Sequence, residues 1–347
     1  MSLQADRLTP ERTCAVTVTY GDRFALLEQV LTALLQANIG HLIVVDNASE
    51  TASQQALYNF VAQHTHGNLT VLTMPHNLGS AGGYKAGIEA ALEADYDFVW
   101  LLDDDNVPAD DAFIHLQDAY AELSPQYTKF ALCALRDDRA NLKAWAQGMR
   151  TAITRPSSVL GFHLLDIPAK LLARFQKKTP CKRCPLPFAP YGGTLLPRSV
   201  VDTIGTPDPR FYLYSDDYEY TYRITQQGGH IFLVPTSHII DVDTSWHVRK
   251  QKTRALQQLF VTASDERIFY ATRNALYWTK HVRQGNPIWY ASNLLLVRLG
   301  IAVEAFLAGD MKRWRLLERA MKEGARGNLG KTFSSEQKNT DTRSAKQ

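Results

Sequence analysis

The chain has 347 residues, 45% of them hydrophobic and 21% charged, with a formal net charge of +3. This is the composition of a globular protein with one large domain or two medium ones. It excludes a disordered or fibrous chain, and so small a charge gives no case for a nucleic-acid partner. The charge is uneven: from Met311 to Gln347 ten Lys and Arg face four acids, a surplus of six that leaves −3 on the remainder. A basic end on a mildly acidic body suits an anionic membrane surface; a solvated helix and frayed tail is the plain structural reading.

In chain order, "TCAVTVTY" (13–20) is β-branched and reads as a buried strand. "FALLEQVLTALLQAN" (24–38) repeats Leu27, Val30, Leu31, Leu34 and Leu35 at helical spacing. A strand "HLIVVDN" (41–47), a helix over about 50–64, a strand "LTVLTMP" (69–75), a helix "SAGGYKAGIEAALEA" (80–94) and a strand "DFVWLLD" (97–103) follow. Such alternation predicts an α/β fold, with a mostly parallel, Rossmann-like sheet flanked by helices on both faces. Ligands of such sheets sit beyond the carboxyl ends of the strands, here Tyr20, Asp46–Asn47, Asn77 and Asp103–Asp105.

Residues 109–190 are less regular and close on the loop "KKTPCKRCPLPFAP". "YGGTLLP" (191–197) reads as a strand, "RSVVDTIG" as a short helix, and "SDDYEYTYRITQQGG" (215–229) as a helix with Ser215 as N-cap and Gly228 beyond its end. The strand "HIFLVP" (230–235) and the loop "VDTSWHVRK" precede a helical, aromatic region to about 326. The polar end after Gly330 is expected to be disordered. "IWYASNLLLVRLGIAVEAFLAG" (288–309) is interrupted by Arg298 and Glu304, which predicts a buried or interfacial helix rather than a spanning one. Four cysteines, of which only Cys181 and Cys184 have metal-ligand spacing and lack a second pair, fit a reduced protein in the cytoplasm. The polar start "MSLQADRLTPERT" does not read as a signal peptide.

Three aspartates at a strand end repel one another and need a reason. On a strand, Asp103 and Asp105 share a side and Asp104 faces away, so Asp104 is the one expected to tolerate change. Two converging carboxylates suit Mn2+ or Mg2+; an acidic turn before "NVP" is the structural alternative. In "NLGSAGGYKAG" (77–87) the glycines permit close approach to an anion at a helix start, or are simple punctuation. In "YSDDYEY" (214–220) the acids Asp216, Asp217 and Glu219 complement a helix dipole, and one of them can serve as a general base. His247, in a loop before Arg249 and Lys250, can be a third metal ligand.

Together these stretches resemble a family-2 glycosyltransferase of the GT-A fold. The resemblance runs over about 13–250 through "VTVTY", "VVDNAS", the 77–87 glycines, "DDD" and the later acidic helix. "WLLDDDNVP", "SDDYEY" and "WH" most resemble bacterial galactofuranosyltransferases and related polysaccharide transferases, although Tyr214 and Ser215 stand where those carry Trp before the acidic pair. The resemblance implies a nucleotide-sugar-binding catalytic domain over 1–250, a helical region over 251–330 that can associate with a membrane, and a tail over 331–347. It implies that Thr19, Tyr20 and Asp46 line the nucleotide base, that Asn77, Gly79 and Lys85 line the ribose and diphosphate, and that Asp103 and Asp104 contact the nucleotide. It further implies that Asp103, Asp105 and His247 hold the metal and that Asp217 is the base of an inverting transfer. The donor is then a UDP-sugar, with UDP-galactofuranose ahead, and the acceptor is a glycan or lipid-linked oligosaccharide in bacterial surface-polysaccharide synthesis. The enzyme would act in the cytoplasm or at the inner face of the membrane. A dTDP-rhamnosyltransferase of the same fold stays open, though "DQD" is more usual there. A sugar nucleotidyltransferase is opposed by "TYGDRF" where a "GxGTR"-type loop is expected. A nucleotide-binding module without catalysis is opposed by the retained acids.

Overall fold

A computed structural model of the chain describes residues 7–64, 67–149, 152–173, 179–243, 256, 259–260 and 264–333. The chain divides into two compact units. The first comprises 1–154, 165–208 and 216–250; the second comprises 155–164, 209–215 and 251–347.

The first unit is built on a nine-stranded sheet. Strands β1 (Thr13–Gly21), β2 (His41–Ser49), β3 (Leu69–Thr73) and β4 (Phe98–Asp103) lie in the order β3-β2-β1-β4, all parallel. Strand β5 (Asn106–Pro108) leaves this group at once. Beyond β4 the order continues β8 (Thr194–Pro197), β6 (Phe130–Arg136), β9 (His230–Asp241) and β5, with β7 (Cys184–Leu186) also on β9. Strand β8 is antiparallel to both its neighbours, β6 and β9 are parallel, and β5 and β7 run antiparallel to β9. The expected α/β sheet of the GT-A fold is therefore present, parallel through its first four strands and mixed beyond them. The continuous apolar runs of β1, β2 and β4 follow from burial on both faces.

Alternate residues of β1 serve opposite faces. Ala15 packs with Leu27, Val30 and Leu31 of α1 (Phe24–Gln36), Leu57 of α2 (Thr51–Gln63) and Leu116 of α4 (Ala112–Leu123). Val16 and Val18 face α3 (Gly79–Glu93) on the other side, at the level of Gly87 and Gly83. These two glycines, one turn apart, let α3 sit close on the sheet: a Cβ at Gly87 would stand 2.4 Å from Val16 Cγ1 and 3.0 Å from Val45 Cγ2, and one at Gly83 2.5 Å from Val18 Cγ1. Part of the glycine pattern read as anion-binding is thus helix–sheet packing. Smaller helices α5 (Ala140–Ala146), α6 (Asp166–Ala173), α7 (Arg198–Ile204) and α8 (Asp216–Gln226) complete the unit.

The second unit contains α9 (Asp265–Tyr277), α10 (Pro287–Ala308) and α11 (Met311–Arg326). Ile268, Leu276, Val297, Ile301, Leu317 and Met321 form its core with Val159. Buried Asn274 donates from Nδ2 to the carbonyls of Phe211 (2.8 Å), Leu213 (2.7 Å) and Tyr214 (2.9 Å), holding a segment in which Tyr212, Tyr214 and Ser215 all have positive φ. Residues 331–333, expected to be disordered, are held against α9, and the rest of the tail lies outside the described residues. Arg273 Nη1 donates to Gly330 O (2.6 Å), and the Tyr270 hydroxyl accepts from Thr332 N (2.7 Å).

The expectation of a wholly reduced chain is corrected. Cys181 and Cys184 form a disulfide, because the turn entering β7 brings their Cα atoms to 5.5 Å, within bonding range; Cys14 and Cys133 are free and buried.

The close approach of α3 gives a first prediction. Gly87→Ala should lower unfolding stability by about 1–3 kcal/mol through overpacking, against a helix-propensity gain of about 1 kcal/mol. Urea denaturation with an unchanged or raised midpoint would contradict the close packing.

Candidate active site

The parallel register aligns the strand ends. Thr19 pairs with Asp46, and Val18 with Asp103, so the carboxyl ends of β1, β2 and β4 share one edge. The hairpin-like pairing of β5 with β9 sets Asn106 opposite Asp241, and Asp105 O accepts from Val242 N (2.9 Å), which adds Asp241 and Asp243 to that edge.

Strand β4 ends at Asp103, and Asp104 and Asp105 lie in the turn before β5. The i, i+2 rule therefore stops applying after Asp103. Asp104 does not face away to solvent but is the most buried of the three, at 4% exposure. Its Oδ2 accepts from Thr19 Oγ1 (2.9 Å), and Arg23 Nε lies 3.0 and 2.9 Å from its two oxygens. The expectation that Asp104 tolerates change is corrected on this ground. Arg23 also donates from Nη2 to Asp105 Oδ2 (2.7 Å) and from Nη1 to Asp243 Oδ2 (2.9 Å). A second guanidinium, Arg136 at the end of β6, donates from Nη1 to Asp103 Oδ2 (2.6 Å) and from Nη2 to Asp241 Oδ2 (3.3 Å). Asp103 Oδ1 lies 2.8 Å from the hydroxyl of buried Tyr84, which stacks on Tyr191.

With Asp138, which accepts from Arg136 Nε (3.1 Å), six carboxylates face the two guanidiniums. Burial, then the charges of Asp103, Asp104 and Asp241, push the Asp105 carboxyl up to about 7 against the pull of Arg23. Such an excess of anionic oxygen is the donor chemistry of a divalent cation. Two further observations fit one. Asn106 donates from Nδ2 to Asp105 Oδ1 (2.7 Å), yet its own Oδ1 is buried without a hydrogen-bond partner. Gly192 has no side chain where a Cβ would stand 2.1 Å from that Oδ1 and 2.8 Å from Asp103 Oδ2. Asp103 and Asp105 can hold a cation through the lone pairs their present partners leave free. Among the described residues no group of three or more His, Cys, Asp or Glu is arranged to hold a metal ion, and His247, the expected third ligand, lies outside them.

Helix α8 begins with the acidic pair. Asp216 is 3% exposed and accepts from Ser80 Oγ (2.8 Å); burial and then the charge of Asp217 push it up to about 8. Asp217 is half-buried and accepts from Tyr218 N (2.8 Å). Burial raises Asp217 to about 6, with Asp103 adding to the rise and Arg139 and Arg136 opposing it. Ser80 and Tyr84, one turn apart on α3, bond Asp216 and Asp103 respectively, so the start of α8 and the aspartate turn both abut α3.

The remaining candidates are positioned as follows. Tyr20 is partly exposed beneath the Arg23 guanidinium, 5.6 Å from its ring centre. Asp46 is fully buried, with Oδ1 accepting from Ser49 N (2.9 Å) and Oδ2 from Gln54 Nε2 (2.6 Å). Asn77 Oδ1 accepts from Gly79 N (2.8 Å), and Gly79 has φ +73°. Lys85 pairs with Glu89 one turn along α3. Asn47 ties this loop to β2, accepting from Leu78 N (2.8 Å) and donating to Gly79 O (2.9 Å). Arg23, Arg136, Tyr84, Asp241, Asp243 and Gly192 were not among the expected site residues. Their signal was that Arg136 and Asp241 end apolar strands, as Asp46 and Asp103 do.

The chain matches the model of the family described as glycosyltransferase like family 2 over residues 10–261. It is 28% identical over 231 residues to galactofuranosyltransferase GlfT1 of Mycolicibacterium smegmatis, covering 63% of this chain and 67% of that protein. It is 29% identical over 236 residues to galactofuranosyltransferase GlfT1 of Mycobacterium tuberculosis (strain CDC 1551 / Oshkosh), covering 63% and 66%. Among solved structures, mannosyltransferase PcManGT from Pyrobaculum calidifontis, in complex with GDP-Man and Mn2+, aligns at 15% identity with a TM-score of 0.48, covering 93% of this chain and 89% of that one.

The three-way grip of Arg23 yields a second prediction. Arg23→Met leaves Asp104, Asp105 and Asp243 uncompensated and should cost about 3–5 kcal/mol of stability at neutral pH. Without the cation the folded-state carboxyl pKa values rise further, so the loss should shrink as pH falls and the carboxyls take up protons. Equal stability of variant and wild type in denaturant titrations at pH 7.5 would contradict the assigned charge balance.

Proposed function

We propose that this chain, which belongs to glycosyltransferase like family 2, transfers a galactofuranosyl residue from UDP-galactofuranose to a glycan or lipid-linked acceptor hydroxyl, with inversion. That it is a hexosyltransferase follows from the family and its curated relatives. The observation carrying the finer reading is that Ser80 and Tyr84, one turn apart on α3, bond Asp216 beside the candidate base and Asp103 of the candidate diphosphate site, which supports one centre formed by the two acidic clusters. The similarity to two galactofuranosyltransferases supports the donor; the alignments span about two thirds of those proteins.

In this reading Asp217 takes the proton of the acceptor hydroxyl as its oxygen bonds to the anomeric carbon. The bond from that carbon to the diphosphate breaks on the opposite side, which inverts configuration, and UDP leaves. Asp217 suits the base better than Asp216, which is almost fully buried and committed to Ser80. Asp103 and Asp105 would hold Mn2+ or Mg2+, which offsets charge on the departing diphosphate. Arg23 and Arg136 keep the acidic turn in shape. Thr19 and Asp46 are read as supporting the nucleotide side through Asp104 and the β2–α2 connection, and Tyr20, Asn77 and Gly79 as lining it. Lys85 would join them only by leaving Glu89.

A base must be ionised to accept a proton. Transfer at limiting donor should therefore rise with pH through about 6, the value of Asp217, and level off above it. Asp217→Asn should lower kcat by about 10²–10⁴-fold and remove that pH dependence. The test is UDP release from UDP-galactofuranose with a galactan acceptor, with dTDP-rhamnose alongside. Wild-type turnover in Asp217→Asn would refute the base, and transfer from dTDP-rhamnose alone would refute the donor.

A further inference from the structure

Helix α10 is long and apolar enough to cross a membrane by length and composition, yet only 22% of its most apolar window is buried. Its two faces differ. Asn293, Val297, Ile301 and Ala305 are buried and recur at helical spacing. On the opposite side Ile288, Leu295, Leu296, Leu299, Val303, Phe306 and Leu307 are exposed, within an arc of roughly 120° at 100° per residue. Ile288 is 73% and Phe306 80% exposed. A broad apolar helix face belongs in a core or a lipid phase, and this one is exposed.

The next helix supplies the complementary charge. Lys312, Arg315, Arg319, Lys322 and Arg326 are all exposed and fall within an arc of roughly 80° on α11. Arg319 is paired with Glu323 (2.8 Å), but among the described residues no carboxylate pairs with Lys312, Arg315, Lys322 or Arg326. The two helices are joined by Arg298 Nη2 donating to Glu318 Oε2 (2.6 Å). Along that seam runs a groove of about 560 Å³, lined by Arg298, Arg315, Lys322 and Arg326 together with Glu318 and Glu323.

We propose that the exposed apolar face of α10 and the basic face of α11 together dock this chain on an anionic phospholipid bilayer, with α10 lying in the headgroup plane. A helix with apolar residues on one side and basic groups beside them is the arrangement that binds such a surface. Spanning is opposed by the far side of α10. Asn293 is fully buried, donating from Nδ2 to Ser157 O (3.0 Å) and accepting at Oδ1 from Leu164 N (2.9 Å), so that face is committed to protein. A second copy of the chain is opposed by charge, since an isologous contact here would bring two basic helices together. The proposal narrows the membrane-associated region expected over 251–330 to the exposed face of α10 and the outer face of α11, and it is independent of the donor.

The experiment is co-sedimentation of the full chain with vesicles of phosphatidylcholine containing phosphatidylglycerol, and with phosphatidylcholine alone. Wild type should sediment with the anionic vesicles at low salt and release as salt rises. Leu299→Glu/Phe306→Glu should lower partition at least about tenfold. Arg315→Gln/Lys322→Gln/Arg326→Gln should abolish the preference for phosphatidylglycerol. All five positions are exposed, so thermal midpoints should match wild type; if the first variant unfolds, the second decides. Equal sedimentation with both vesicles, or undiminished binding by either folded variant, overturns the proposal. So does a wild-type dimer that the Leu299→Glu/Phe306→Glu variant dissociates, without vesicle binding.

Discussion

Two arginines, Arg136 buried and Arg23 half-buried, hold a surplus of carboxylate at one end of a sheet, and the rest of the site depends on that balance. Arg23 gathers Asp104, Asp105 and Asp243, while Arg136 gathers Asp103 and Asp241. Without them the turn after β4 would be a cluster of like charges in a low-dielectric setting, and the carboxyls would protonate or the turn would open. With them the cluster stays rich in carboxylate, and burial first and the neighbouring aspartates second push the Asp105 carboxyl up. The same surplus that costs stability makes a place for added positive charge. Stability and the capacity to bind a cation are thus two readings of one electrostatic arrangement.

The sheet was legible because buried parallel strands must be continuous apolar runs, and "TCAVTVTY", "HLIVVDN" and "DFVWLLD" are such runs. The edge of the sheet was legible for the same reason, since each run stops at a polar residue. What failed was the geometry just past the edge. Strand β5 must pair antiparallel with β9, so the chain turns immediately after Asp103 and carries Asp104 inward. The turn chemistry of "DDDNVP" signalled this, but strand periodicity was followed one residue too far. The arginines were invisible for a different reason. Arg23 meets Asp105 across 82 positions and Asp243 across 220, and nothing local in "TYGDRF" announces a partner so distant. The cysteine pair shows a third limit, because the spacing of "CKRC" is equally compatible with a metal ligand pair and with a disulfide.

The glycines of α3 and the apolar face of α10 mark where composition needs structure to be interpreted. "AGGYKAG" looked like a phosphate loop, but Gly83 and Gly87 mainly let a helix lie on valines of β1 and β2. "LLLVRLGIAVEAFL" read as a buried or an interfacial helix, and the structure gives it a buried face defined by Asn293, Val297 and Ile301 and an exposed face opposite. In both cases the residue types were right and their partners were undetermined until neighbours were known.

Isothermal titration calorimetry of UDP, with and without Mn2+, tests the central claim most directly. The charge account predicts that UDP binds wild type markedly more tightly in Mn2+, that Asp105→Ala loses this enhancement, and that Asp217→Asn keeps it. UDP affinity independent of Mn2+ in the wild type, or an enhancement intact in a folded Asp105→Ala variant, would contradict it.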